Sequence, residues 1–350
     1  MLATKLIFTD GCLPGSGKSA VSQLITLQLQ KHNIAARWFS EDKDPHLAHV
    51  IGAIIQQDSA RKGLQEVADV DNRDIEQLLD TMDRDDFAQK SLQAWQSFVD
   101  SAQTEEIAVL DSAILQHPLI FLLSCKGVLL NNERADVEWL AAYYDKVQAM
   151  LKELAPVLIY LCHDNTAELM HKLQVERGAE WVQWLANVLS RTPYGRQRNY
   201  KGIEGVVTML EFFKDINVNL FSGLTIPKIA IDTSADDWAA YHEQIMDFIG
   251  LSWIKDEAGL SQSFDQFVGV YKYSELECTV QLQAGQLTVN NLCEPLARFM
   301  PLIPKTANHF FIRSVPVELV FEQLEPGDLW QIRIAGSHEE HSGKVLSKYE

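Results

Sequence analysis

The chain has 350 residues, a length that suits two domains or one large domain with an extension. Hydrophobic residues make up 47% of the chain and charged residues 22%, which is the ordinary balance of a soluble globular protein. The formal net charge of −18 opposes binding to DNA or RNA, because the phosphate backbone attracts positively charged surfaces. Composition therefore argues against a nucleic acid polymer as partner.

Cysteine usage indicates the compartment. The five cysteines are widely spaced and form no C-x-x-C pair: Cys12, Cys125, Cys162, Cys278 and Cys293. This pattern argues against a disulfide framework or a structural zinc site and is typical of a reducing cytosol.

The chain runs from Met1 almost directly into its first apolar segment, so we expect no signal peptide. Polar residues and proline interrupt the apolar stretch 113–130, which favours a buried helix over a membrane span. We therefore expect a cytoplasmic protein with no membrane partner.

The first 250 residues alternate short apolar runs with stretches of helical periodicity. This alternation predicts an α/β fold with a mainly parallel sheet, whose strands are continuously apolar because helices cover both faces. The predicted strands are Leu6–Thr9, Ala35–Phe39, Ile107–Leu110, Val157–Cys162 and Lys228–Asp232. In such sheets ligands bind at the carboxyl ends of the strands.

A glycine-rich loop, Gly-Cys-Leu-Pro-Gly-Ser-Gly-Lys-Ser over 11–19, links the first predicted strand to a helix. The pattern Gly-x4-Gly-Lys-[Ser/Thr] binds phosphate, because its glycines let backbone N–H groups point inward and the helix dipole favours anions. It predicts that Lys18 reaches the β- and γ-phosphates of ATP and that the Ser19 hydroxyl binds Mg²⁺. Cys12 stands where the pattern has its first glycine, one place after Gly11. The predicted nucleotide-binding residues are Leu13, Pro14, Gly15, Ser16, Gly17, Lys18, Ser19 and Ala20.

Carboxylates follow three of the predicted strands. Asp111 closes the third strand, where it could hold Mg²⁺ or accept the proton of an attacking hydroxyl. Because Asp111 also precedes a predicted helix, capping of that helix is an alternative role. The candidate substrate-binding residues at the first and second strands are Asp10, Glu41 and Asp42. A solvated acidic turn explains the last two equally well.

Residues 171–201 carry an excess of positive charge in an otherwise acidic chain. Arginines stabilise the charge on a transferring phosphoryl group, and they do so best from a mobile segment that closes over the site. Thr192–Tyr200 has the proline, glycine and polar residues of such a lid. The candidate catalytic arginines are Arg191, Arg196 and Arg198. A solvated basic face is the alternative interpretation.

After about residue 250 the apolar pattern changes to alternation with a period of two. We divide the chain into an α/β nucleotide-binding domain over 1–250, a linker over 251–262 and an antiparallel β domain over 263–350. Turn residues at 284–285 and 326–328, flanked by alternating apolar residues, predict two hairpins. We expect four to six short strands in a small antiparallel barrel or half-barrel.

Residues 1–250 resemble the thymidylate kinase branch of the P-loop nucleotide kinases. The resemblance is carried by the loop Leu13–Ser19, the aspartate after the third strand and the arginine-rich segment before the last strand. It implies a P-loop NTPase three-layer sandwich, ATP and Mg²⁺ as cofactors, phosphoryl transfer to a small molecule and a possible homodimer. In that family an arginine that holds the acceptor phosphate usually follows the aspartate. Here Ser112 follows Asp111, so the acceptor stays open.

The C-terminal segments are similar to the small β-barrels appended to some serine β-lactamase-like hydrolases. The residues that carry this likeness are Phe267–Tyr271, Gly285–Leu287, Phe310–Phe311 and Val317–Phe321. The resemblance implies an accessory domain that could bind a protein partner.

Two alternatives to a kinase therefore remain open. One is a nucleotide-dependent ATPase or switch whose β domain binds a partner, and the other is a catalytically degenerate nucleotide-binding protein.

Overall fold

The computed structural model describes most of the chain in segments. These are residues 3–40, 81, 83–101, 106–124, 133–254, 264–283, 285–292, 300–325, 327, 329–336 and 342–349. The chain divides into two compact units. The first holds the chain up to Trp253 apart from 42–44 and Gln174–Glu180, which group with Ile254–Glu350 in the second. The prediction of an α/β unit followed by an antiparallel β unit is confirmed.

The first unit is built on an all-parallel sheet with strand order β2-β3-β1-β4-β5. Its strands are β1 Leu6–Asp10, β2 Ala36–Phe39, β3 Ile107–Asp111, β4 Val157–Cys162 and β5 Lys228–Asp232. Each strand lies within one residue of its predicted limits. The helices of this unit within the described residues are α1 Lys18–Lys31, α2 Arg84–Ser101, α3 Gln116–Ser124, α4 Glu133–Leu151, α5 Thr166–Arg177, α6 Ala179–Arg191, α7 Pro193–Gln197, α8 Gly202–Gly223 and α9 Trp238–Phe248.

Helices cover both faces of this sheet. Successive strand residues point to opposite faces, so each strand contributes side chains to both helix layers. On one face, Ile7 and Ile159 belong to a buried cluster with Ile25 of α1 and Ile245 of α9. On the other face, the neighbouring strand residues join a larger cluster with helices α2 to α6 and α8. Its members include Phe8, Leu158, Trp95, Leu119, Tyr144, Leu169, Val182 and Phe213. The first unit is therefore a three-layer α/β sandwich.

The apolar stretch predicted as a buried helix forms α3 over its described part. Leu119 and Leu122 of α3 are fully buried, and residues 125–132 lie outside the described chain. Of the helices that the structure describes, none is both long enough and apolar enough to cross a membrane. The prediction of a buried core helix is thus confirmed for Gln116–Ser124.

The order of the strands reverses beside β1. The chain passes from β1 to β2 and β3 on one side of it, and then crosses to β4 and β5 on the other side. Open parallel sheets bind ligands in the crevice at the carboxyl ends of the strands, at the point where the order reverses. The glycine-rich loop 11–19 begins at that point, directly after β1.

The second unit is a closed antiparallel barrel of eight strands in the described residues. They are β6 Gly269–Tyr273, β7 Leu276–Gln283, β8 Gln286–Asn290, β9 Met300–Pro304, β10 His309–Ile312, β11 Val317–Glu322, β12 Gln331–Gly336 and β13 Val345–Lys348. Both predicted hairpins are present, with Val280 opposite Val289 and Leu319 opposite Ile334. The predicted count of four to six strands is wrong, because short strands such as β9, which contains two prolines, lack the apolar alternation that marks a strand.

Aromatic side chains fill the barrel. Phe267, Tyr271, Phe310 and Phe321 are fully buried. The rings of Phe267 and Phe321 have centroids 4.4 Å apart, and those of Phe310 and Phe321 are 5.5 Å apart in an edge-to-face arrangement. Small barrels are closed by side chains in this way, so the barrel has a packed interior.

Candidate functional site

The glycine-rich loop has glycine where conformation and space both require it. Gly15 and Gly17 have φ angles of 78° and 95°, in the left-handed region that favours glycine. A Cβ atom on Gly15 would lie 2.6 Å from Cδ2 of Leu173, and one on Gly17 would lie 2.3 Å from Cη2 of Trp238. Two side chains from distant parts of the sequence therefore pack directly on the loop.

Gly11 accounts for the displaced first glycine of the pattern. A Cβ atom on Gly11 would lie 2.1 Å from the backbone oxygen of Leu161 in β4, so the close approach of these two segments needs glycine at residue 11. Cys12 follows as a buried member of the larger apolar cluster. Burial raises the pKa of the Cys12 thiol to about 12, so this side chain stays neutral. Cys12 packs as a small apolar side chain.

Lys18 opens α1, and its side chain folds back along the loop. Its Nζ donates to the backbone oxygen of Leu13 at 2.7 Å and to Oγ of Ser16 at 3.4 Å. The first turn of α1 is tied to β1, because Oγ1 of Thr9 donates to the backbone oxygen of Lys18 at 3.1 Å and lies 2.5 Å from Oγ of Ser22. These contacts hold a buried ammonium group beside the loop.

Ser19 and Asp111 meet at the carboxyl ends of β1 and β3. Oγ of Ser19 donates to Oδ2 of Asp111 at 2.5 Å, and Nε1 of Trp38 donates to Oδ1 of the same carboxylate at 3.3 Å. Asp111 is fully buried, and in the sheet register it lies opposite Thr9. Mg²⁺ takes one or two protein oxygen ligands and completes its shell with phosphates and water. The hydroxyl and the carboxylate therefore fit a Mg²⁺ ion.

The capping role considered for Asp111 is filled by Asp10. The Asp10 carboxylate is fully buried. It accepts hydrogen bonds at 2.7–2.9 Å from the backbone N–H groups of Gly11, Ile114, Leu115 and Gln116. Burial raises the pKa of Asp10, and these amide donors oppose the rise. Asp10 thus fixes the turn between β3 and α3 to the end of β1.

The other two candidate substrate residues, Glu41 and Asp42, lie outside the described residues. The segment predicted as a lid is described in full. It contains the helix α7, whose N-cap is Thr192 with Oγ1 accepting from Gly195 N at 3.0 Å. Tyr194 is buried and stacks on Phe212, with ring centroids 5.7 Å apart. The segment with the composition of a lid therefore contains a packed helical turn.

The three candidate catalytic arginines make contacts within this segment and, for Arg198, with α8. The Arg198 guanidinium lies 5.0 Å from the ring centroid of Tyr194 and 5.4 Å from that of Phe212. Nη1 of Arg196 donates to the backbone oxygen of Arg191, and both of these arginines are exposed. A catalytic role for any of the three stays a prediction.

The sequence analysis did not predict the side chains that pack on the loop. Leu173 on α5 and Trp238 at the start of α9 pack on its glycines, as described above. Beside them, Nζ of Lys172 contacts both carboxylate oxygens of Asp236, at 2.6 and 2.7 Å. The ion pair joins α5 to the segment between β5 and α9. No sequence pattern marks these residues, because their role depends on elements that meet only in the folded chain.

The site brings together glycine backbone, an ammonium group, a hydroxyl and a carboxylate. Comparison of the chain with models of known protein families and with curated proteins found no match. We therefore infer the possible chemistry of the site from these groups alone. They can bind an anion through N–H donors, compensate its charge and hold a divalent cation next to it.

Proposed function

We propose that the first unit is a P-loop NTPase-type domain that transfers the γ-phosphoryl group of ATP to a small molecule, as the thymidylate kinase branch does. The observation that carries this proposal is the contact between Ser19 and Asp111 beside the glycine-rich loop. A glycine-rich turn formed for packing alone would need neither a lysine folded along it nor a hydroxyl–carboxylate pair at its end. The reversal of strand order at the same point is a second, independent support.

Each group of the loop has a defined task in this proposal. The N–H groups of 15–19 and the N-terminus of α1 bind the phosphates, and Lys18 compensates the charge of the β- and γ-phosphates. Ser19 and Asp111 hold Mg²⁺, which when bound supplies further neutralisation of phosphate charge. Trp38 orients the Asp111 carboxylate through its N–H group. Catalysis by these residues consists of positioning and of electrostatic stabilisation.

The acceptor in this proposal is a hydroxyl- or phosphate-bearing small molecule. The turn after Asp111 is polar and uncharged at Ser112, whose Oγ donates to Oε1 of Gln116 at 3.4 Å. Asp10 fixes this turn, so the groups that follow β3 have a defined position. A reducing cytosol suits the three cysteines that are free in the described chain, Cys12, Cys162 and Cys278. A homodimer remains part of the proposal through the family resemblance alone.

A nucleotide-dependent ATPase or switch is the second candidate function. The observation that favours it is the packed interior of the barrel, which leaves the outer surface of the second unit for binding a protein partner. Catalytic degeneracy is the weaker alternative, because Lys18, Ser19 and Asp111, the residues to which this proposal gives catalytic tasks, are all present and lie beside the loop.

Transfer of label from γ-labelled ATP tests these alternatives. The purified protein is incubated with Mg²⁺ and pools of nucleosides, nucleotides, sugars and antibiotics. Lys18→Ala serves as the test variant and Lys272→Ala, on the barrel, as the matched control. We expect label on one small molecule, lost at least a hundredfold in Lys18→Ala and kept in the control. Release of free phosphate without transfer would favour the ATPase. ATP left intact by the wild-type protein, or unchanged transfer by Lys18→Ala, would overturn the proposal.

A further inference from the structure

A second lysine lies at the carboxyl edge of the sheet near the loop. Lys214 is half-buried on α8. Its Nζ donates to the backbone oxygen of Asp164 at 2.8 Å, and Asp164 follows the end of β4. The same strand end touches the glycine-rich loop, as the approach of Gly11 to Leu161 shows. The ammonium group of Lys214 thus lies just beyond the carboxyl end of β4, the strand next to β1.

Among the described residues, no carboxylate forms an ion pair with Lys214. In the described chain the neutral Asp164 carbonyl is its one hydrogen-bond partner. An ammonium group has three donors, so this single hydrogen bond leaves donors for a ligand or for water. Lys18 and Lys214 are also the two cations whose charge opposes the burial-driven rise of the Cys12 pKa.

A neighbouring polar group on α8 is also unsatisfied. Asn217 lies one turn beyond Lys214 and is fully buried. Neither its Oδ1 nor its Nδ2 has a hydrogen-bond partner among the described residues. Buried amide groups are almost always paired, with protein, water or ligand. This stretch of α8 therefore combines the Lys214 charge with a buried amide that has no hydrogen-bond partner among the described residues.

We propose that Lys214 is a second phosphate-binding lysine of the nucleotide site, acting beside Lys18. This inference rests on the proposed function. It assigns to α8 the charge compensation that the sequence placed on the arginines of 191–198. Arg198 packs on the rings of Tyr194 and Phe212, whereas Lys214 donates to the backbone just beyond the end of β4.

Binding of inorganic triphosphate and of ATP without Mg²⁺, measured by calorimetry, tests this role. We expect Lys214→Met to weaken both affinities about tenfold or more, because a hydrogen bond to a charged group is lost. Lys214→Arg should keep most of the affinity, since it keeps the charge. Lys272→Met on the barrel is the control. A structural role would instead lower the melting temperature of both Lys214 variants without distinguishing methionine from arginine.

The outcomes distinguish failure of the Lys214 role from failure of the proposed function. Normal triphosphate affinity in Lys214→Met, with loss in Lys18→Ala, overturns the role of Lys214 and leaves the proposed function standing. Absence of triphosphate and ATP binding by the wild-type protein overturns both. If Lys214→Met does not fold, amine labelling of the wild-type chain decides: protection of Lys214 by triphosphate, but not of Lys272, supports the role, and equal labelling refutes it.

Discussion

The indole ring of Trp238 occupies the space beside Gly17 that a side chain at residue 17 would need. The distance from an added Cβ atom to Cη2 of Trp238 would be 2.3 Å, well inside van der Waals contact. The N-cap of α1 is Gly17 itself, in the left-handed conformation. One ring therefore fixes both the identity of this residue and the entry into the helix that carries Lys18 and Ser19.

This relationship predicts a difference between two glycine substitutions. Gly178 has nearly the same φ angle as Gly17, 93° against 95°, but an added Cβ atom there meets nothing within 4 Å. We expect Gly178→Ala to lower the free energy of unfolding by about 1–2 kcal/mol, the cost of left-handed backbone. Gly17→Ala should cost about 1–3 kcal/mol more, because the ring must move. Urea unfolding measures both.

A second substitution identifies the ring as the cause. In the Gly17→Ala background, Trp238→Ala removes the collision, so the additional cost of Gly17→Ala relative to Gly178→Ala should disappear. The comparison is a double-mutant cycle between contacting residues, where such coupling is expected. Equal costs for the two glycine substitutions in the wild-type background would show that the ring yields freely, and the tight packing of Trp238 on the loop would be refuted.

A second prediction concerns the magnesium site. If Ser19 and Asp111 hold Mg²⁺ together, Ser19→Ala and Asp111→Asn should each remove most of the gain in ATP affinity that Mg²⁺ gives, about tenfold or more. The double variant should lose little beyond either single one, because the two residues act as one unit. Calorimetric titration with and without Mg²⁺ gives the numbers, with Ser97→Ala on α2 as control. Additive losses would mean that the residues act separately.

The parts of the fold that sequence could predict are those that depend on local pattern. The central strands β1, β3 and β4 are nearly continuous apolar runs, and the loop 11–19 indicates a strand before it and a helix after it. The hairpin around Gly285 was equally visible, since apolar residues alternate on both sides of a turn. In each case the residues that form the element also determine it, so tertiary contacts change its limits by a residue at most.

What the sequence could not predict depends on contacts between distant segments. From the sequence, Asp10 is a carboxylate after a strand that could bind substrate. In the structure its carboxylate accepts hydrogen bonds from backbone N–H groups of the turn that follows β3. The composition of Thr192–Tyr200 is that of a lid, and it does not show that Tyr194 is buried against Phe212 or that part of the segment is a helix. Lys214 has no motif around it, and its place near the loop appears only when α8 packs on the sheet.

A third prediction concerns the thiol at the start of the loop. Cys12 is 1% exposed, and burial raises its pKa to about 12. At pH 8 about one thiol in ten thousand would be ionised, and the thiolate is the reactive form. We expect iodoacetamide to leave Cys12 unmodified in the native protein and to modify it fully in urea, as peptide mass mapping would show. Rapid native modification of Cys12 would contradict its role as an apolar filler.

The ion pair beside the loop predicts a change in one carboxyl pKa. The hydrogen bond from Lys172 holds the pKa of Asp236 below its ordinary value. A carboxyl group with a lowered folded-state pKa stabilises the fold above its unfolded pKa, and this contribution is lost as the pH falls through the folded value. The contribution is small, because the side chains are 41% and 55% exposed. The pKa itself, measured by NMR titration, is therefore the sharper observable.

Lys172→Met should raise the pKa of Asp236 toward its ordinary value, because the largest cause of the lowering is removed. Asp232 is the matched control, since its pKa is lowered mainly by the hydrogen bond from Ser234. It should stay unchanged in Lys172→Met and rise in Ser234→Ala. If Asp236 kept its low pKa in Lys172→Met, the charge of Lys172 would not be what holds it. The link between α5 and the segment before α9 would then rest on the packing of Leu173 and Trp238 against the loop.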